Sequence, residues 1–157
     1  MINDNVKNIE IVHWDDKYST GIELIDSQHK KLFEMTNNLF LACKSGEKML
    51  TAAFHEAMHK MVEYVHFHFS AELKLLHKIN YPNYNEHKKM HDDLIHEILT
   101  ASKDFSEGKK FVPNHFIKTL RDWILSHIAI HDKSYAVFYA EQKKNGVITD
   151  NVLDDLG

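Results

Sequence analysis

The chain is short of the residues that staple or interrupt a fold. It has a single cysteine among 157 residues, Cys43, so no internal disulfide can form. Proline occurs twice and glycine five times. No segment alternates apolar and polar residues between hairpin turns, so strands are not expected. No apolar run is long enough to span a membrane, and the first residues carry neither the basic leader nor the apolar stretch of a secretory signal. The expected compartment is the cytoplasm. An excess of charge of one sign is also missing. Nineteen Lys+Arg stand against 23 Asp+Glu, and the lysines come as scattered pairs such as Lys30/Lys31 and Lys88/Lys89, which argues against a nucleic acid partner. No nucleophile with an adjacent base, glycine-rich phosphate cradle or dinucleotide fingerprint is present. What the chain has in excess is histidine, thirteen in all.

The few glycines and prolines fall about one long helix apart, at Gly21, Gly46, Pro82, Gly108 with Pro113, and Gly146. Between them apolar residues recur at steps of three and four: Ile22, Ile25, Leu32, Phe33, Leu39 and Phe40 in the first interval, then Phe54, Met58, Met61, Val65, Leu75, Leu76 and Ile79. The third gives Leu94, Ile98, Ala101 and Phe105, the fourth Phe116, Leu120, Ile124, Tyr135 and Phe138. Each is an amphipathic helix. Short connections make sequential helices antiparallel neighbours, so the expected fold is all-α, an up-down-up-down four-helix bundle in a single domain. Residues 1–20, with Ile9, Ile11, Val12 and Trp14, form an arm over the bundle of residues 21–145. The tail 146–157 receives no structure.

All four stripes are interrupted by residues that bind metals. His29 lies in the first, His68 and Glu72 in the second, His87 and His91 in the third, and His127 in the fourth. A buried imidazole or carboxylate without a partner costs several kcal/mol. Six converging ones call for a bound metal. An i,i+4 pair alone means little, because thirteen histidines and eleven glutamates produce about one His-x-x-x-Glu pair by chance. The weight lies in the joint arrangement over four helices.

The order His29, His68-Phe-Ser-Ala-Glu72, His87-Lys-Lys-Met-His91 and His127-Ile-Ala-Ile-His-Asp132 resembles the hemerythrin family, especially its single-domain bacterial forms. Flanking words agree: Trp14, Ile25-Asp26-Ser27-Gln28 before His29, Tyr81-Pro82 before the third helix, and Trp123-Ile-Leu-Ser before His127. The resemblance implies a non-haem diiron centre with an oxo or hydroxo bridge. His87, His91 and His127 would bind one iron, His29 and His68 the other, and Glu72 and Asp132 would bridge both. The iron with fewer histidines keeps an open position, where dioxygen would bind reversibly. The implied protein is an oxygen carrier, store or sensor and not an enzyme; an iron oxidase or peroxide scavenger on the same scaffold is the alternative. Phe33, Phe69 and Ile130 would line the dioxygen pocket, and nothing demands more than a monomer.

The fourth helix sets spacing against resemblance. Five residues separate His127 from Asp132, a turn of about 140° away on a straight helix, whereas His131 shares the face of His127. Spacing alone selects His131, and the resemblance selects Asp132 together with a local irregularity such as a π-bulge. His55-Glu56-Ala57-Met58-His59 also matches the zinc-protease pattern, but no third ligand or substrate cleft accompanies it. His13, His66, His77, His96 and His115 read as ordinary surface or hydrogen-bonded histidines.

Overall fold

The computed structural model describes residues 10–44, 47–109 and 113–157, with only the backbone of 47–51. Ile9 and Gly46 therefore lie outside the described residues. The long helices are α1 (Glu23–Lys44), α2 (Glu47–Lys78), α3 (Tyr84–Ser106), α4 (Pro113–Ser126) and α5 (Lys133–Lys144). A π-helical turn, His127–Asp132, joins α4 to α5, so the fourth rod of the bundle is one helical run with a wide turn in its middle. Pro113 opens α4, where its missing N–H costs nothing.

Two of the helix ends show why glycine stands where it does. After α3, Gly108 adopts a φ of 66°, and the N–H of Lys109 reaches back to the carbonyl of Asp104 at 3.0 Å. After α5, Gly146 has a φ of 71° and Val147 donates to Gln142 at 3.0 Å. Left-handed residues satisfy the last carbonyls in this way, and glycine does so without a Cβ clash.

The apolar residues form two clusters with a polar layer between them. Leu32, Met58, Met61, Val65, Leu94, Ile98, Leu120 and Ile124 belong to one, and Ile25, Leu75, Leu76, Tyr135 and Tyr139 to the other. Following the chain, α1 runs from the second cluster to the first, α2 returns, α3 goes out again and the α4–α5 rod returns. That alternation is the up-down-up-down bundle. His29, His68, Glu72, His87, His91, His127 and Asp132 lie in sequence where each helix passes from one cluster to the other, and none is more than 4% exposed.

The arm lies over α1. The side chain of Asn37 accepts hydrogen bonds from the N–H groups of Ile11 and Val12 at 2.9 and 3.1 Å, and donates to the carbonyl of Val12 at 3.0 Å. Trp14 and Tyr18 pack their rings against Phe33. The tail, to which the sequence reading assigned no structure, turns back on the bundle. Asp150–Leu153 form a 3-10 turn, Tyr139 donates its hydroxyl to Asp150, and Leu156 is buried in the second cluster. Ile148, Val152 and Leu153 pack beside Leu156 on that cluster, but scattered among polar and acidic residues they show no helical periodicity, so this docking depends on the cluster that receives them. Among the described residues no helix is long and apolar enough to cross a membrane.

Candidate metal centre

Each residue of the polar layer reaches the centre for a local reason. His68 and Glu72 in α2, and His87 and His91 in α3, stand at i and i+4 and project from one helix face. His127 and Asp132 stand five apart, which a straight helix would send to different faces. The π turn takes an extra residue into one turn, with the N–H of Lys133 bonded to the carbonyl of Ile128, and brings both side chains inward. Asp132 is fully buried, whereas His131 is partly exposed at 5.4 Å, ring to ring, from His127.

Two overlapping groups result. Ligand atoms of Glu72, His87, His91, His127 and Asp132 lie within 4.8 Å of one another, as do those of His29, His68 and Glu72. Both carboxylates face both groups, and Asp132 turns one oxygen toward each. Asp132 Oδ1 is 3.1 Å from His127 Nε2 and 3.4 Å from His87 Nε2, while Oδ2 is 3.1 Å from His29 Nε2. Glu72 Oε2 lies 3.2 Å from His91 and 3.5 Å from His87, with Oε1 at 3.6 Å from His29.

This arrangement fits a metal better than it fits itself. Among the described residues seven buried side-chain atoms have no hydrogen-bond partner: both ring nitrogens of His29, Nε2 of His87, Nδ1 of His91, Oε2 of Glu72 and both oxygens of Asp132. The Nε2 atoms of His91 and His127 point at each other from 3.0 Å, two basic nitrogens that can share only one proton. Native interiors rarely leave so many polar groups unsatisfied, and imidazole with carboxylate is a donor set suited to iron.

The electrostatics show what holds the cluster without a metal. Burial opposes charge on His29, but Asp132 and Glu72 beside it outweigh burial and lift its pKa to about 9. Burial pushes His68 down to about 3, since its nearest polar partner is a neutral amide. Desolvation raises the pKa of Glu72, and His68, His29, His87 and His91 more than reverse it, holding the carboxyl well below its usual range. A metal here needs the neutral imidazole, so it competes with the proton that these carboxylates favour on His29.

Gln28 and Tyr135 complete the centre, and the sequence reading gave neither a role. Gln28 Oε1 accepts from His68 Nδ1 at 2.9 Å, which fixes the tautomer that leaves Nε2 facing inward. The buried hydroxyl of Tyr135 donates to Glu72 Oε1 at 2.5 Å. The available signals were slight: a glutamine beside His29, and an aromatic residue three after Asp132 that reads as core.

The expected pocket residues need correction. Ile130 is 60% exposed. Once the wide turn aims His127 and Asp132 inward, the residue three after His127 falls on the outer face, and Ile128 is buried instead. Phe33 is buried, but against Trp14 and Tyr18 of the arm. Of the three, Phe69 alone borders the small enclosed cavity at the centre, whose other walls are Leu32, Val65, Leu94, Ile124 and Ile128 with Trp123, His68, His127 and Asp132. The zinc-protease pattern does not assemble. Glu56 is exposed and paired with Lys60, and His59 is 73% exposed beside Glu63.

Comparison with known proteins agrees with this geometry. The family model described as the hemerythrin HHE cation binding domain matches residues 20–138. A bacteriohemerythrin of Stenotrophomonas maltophilia is 32% identical over 123 residues, 78% of each chain. One of Pseudomonas aeruginosa is 33% identical over 122 residues, 78% of this chain and 77% of that protein. A crystal structure of wild-type hemerythrin superposes with a TM-score of 0.75 at 28% identity, covering 80% of this chain and 95% of the other. With its bundle, its buried histidine and carboxylate layer and these relatives, the chain belongs to the hemerythrin family.

Proposed function

We propose that the chain binds dioxygen reversibly at a diiron centre held by the seven buried residues. His87, His91 and His127 would hold one iron and His29 and His68 the other, with Glu72 and Asp132 shared between them, since each carboxylate faces both groups. When bound, the iron pair supplies the two electrons that a dioxygen ligand takes up and returns.

The chain's own contribution is a dry, shaped surrounding. With two histidines against three, the smaller group would leave room for a further ligand on a bound metal. The enclosed cavity beside it is walled by the aliphatic side chains of Leu32, Val65, Leu94, Ile124 and Ile128. None of these can donate a proton, and together they exclude water, which favours release over further chemistry. Trp123 stacks on His127 with ring centroids 4.3 Å apart and planes 10° apart, restricting the imidazole's rotation. Tyr135 and Gln28 hold Glu72 and His68 by hydrogen bonds.

The observation that carries this reading is the joining of a fully buried five-histidine, two-carboxylate layer to an apolar cavity. The test is iron per chain together with the visible spectrum of the ferrous protein as air is admitted and withdrawn. Two irons and a coloured band that appears with dioxygen and fades on its removal are expected. Irreversible oxidation would overturn reversible binding, and absence of iron would overturn the centre itself.

Gln28→Leu provides a finer test. Loss of the acceptor frees the His68 ring to turn or change tautomer, so the smaller group should release its iron to a chelator about 10–100-fold more readily. Titration of each iron against a competing chelator measures this, and unchanged retention would show that Gln28 does not position His68.

A further inference from the structure

One side chain separates two cavities. Phe69 borders the enclosed cavity at the centre, and it also borders an open groove of about 530 Å³ between α2 and α3 whose walls include Ser70, Leu73, Asp92 and Ile95. His91 reaches the same groove. The Phe69 ring lies flat on the His91 imidazole, with centroids 3.5 Å apart and planes 5° apart, and is 4% exposed. The thickness of one aromatic ring therefore stands between outer groove and inner cavity. The aliphatic walls of the inner cavity, Leu32, Val65, Leu94, Ile124 and Ile128, are at most 3% exposed and are backed by the larger apolar cluster. The other thin place is the half-buried Trp123 on the α4 side, stacked on His127.

We propose that the α2–α3 groove is the entrance by which small ligands reach the buried centre, and that Phe69 decides which molecules pass. The inference rests on the reading of the centre as a ligand-binding diiron site. A phenyl ring held only by stacking and apolar contact moves by side-chain rotation, without breaking a hydrogen bond. Such fluctuations admit a diatomic or triatomic molecule from a groove of mixed lining, in which Leu73 and Ile95 stand beside His66, Ser70, Lys74 and Asp92. Larger solutes need the ring to leave altogether.

A plug and a hole test this from opposite sides. Ile95→Trp fills the groove on the outer side of Phe69, at a position that borders the groove and not the inner cavity. It should slow both association and dissociation of dioxygen, and of azide with the oxidised protein, about tenfold, leaving Kd and iron content unchanged, because a barrier is raised and the bound state is not altered. Leu73→Trp serves if that variant does not fold. Phe69→Ala should accelerate both rates. A second readout needs no ligand at the iron: in a Cys43→Ser background, the thiol of Phe69→Cys should react with a small methanethiosulfonate reagent, and adding Ile95→Trp should slow that labelling by a similar factor. Rates and labelling indifferent to the plug, with Trp123→Ala accelerating ligand exchange, would move the entrance to the α4 side and overturn the proposal. Iron-loaded protein that binds neither dioxygen nor azide would refute the functional reading instead, and thiol labelling would still decide the entrance.

Discussion

Asp132→Ala is expected to lose iron from the centre, while His131→Ala keeps two irons per chain. The two residues are neighbours, and on a regular helix the histidine would be the one facing His127. The π turn reverses this. Asp132 sits 3.1 Å from both His127 and His29, one oxygen toward each group, while His131 lies partly exposed outside the cluster. Removing the carboxylate takes a shared ligand from both irons and leaves His29 and His127 facing an apolar gap. No nearby side chain replaces it, because His131 would have to swing through the helix backbone. Metal analysis of the two variants, with circular dichroism to establish folding, makes the comparison. Retention of both irons by Asp132→Ala, or their loss from His131→Ala, would show that spacing on a straight helix was the better guide.

Stripping the metal should lower the melting temperature by more than about 10 °C, and His127→Ala should reproduce much of that loss. Among the described residues seven buried side-chain atoms lack a hydrogen-bond partner without a metal. Leaving a buried polar group unsatisfied costs about 1–3 kcal/mol, and the total stability of a domain is only about 5–15 kcal/mol. For a chain of this size each 1 kcal/mol shifts melting by about 2–4 °C. The imidazole and carboxylate contacts of His29, Glu72 and Asp132 offset part of the cost, so the stripped protein should remain folded at room temperature. Calorimetry before and after chelation measures the difference. Equal melting temperatures would mean that metal binding and folding are not coupled at this layer.

Much of the molecule was legible in the residues. Glycine and proline are so sparse that their positions mark the helix ends, and the three-and-four spacing of apolar residues fixes which face of each helix turns inward. Histidines and a glutamate on those faces had to become buried, so the convergence of His29, His68, Glu72, His87, His91 and His127 follows from periodicity alone. Asp132 was reached only through resemblance.

The tertiary structure decided matters of direction that a one-dimensional pattern does not carry. Whether His131 or Asp132 faces the centre depends on one π-helical turn, a small change in backbone with a large change in side-chain azimuth. The same turn sends Ile130 to solvent and Ile128 inward. Phe33 shares the stripe of His29, but the arm over α1 supplies its neighbours, so its place in the stripe fixed its burial and not its partners. Gln28 and Tyr135 gain their roles from atoms 40 and 63 residues away in sequence. Local amino-acid pattern determined which side chains are buried along the regular helices, because burial there follows helix periodicity. Only the packed fold determined what each one meets, because contact partners come from other helices and from the one turn that departs from 3.6 residues.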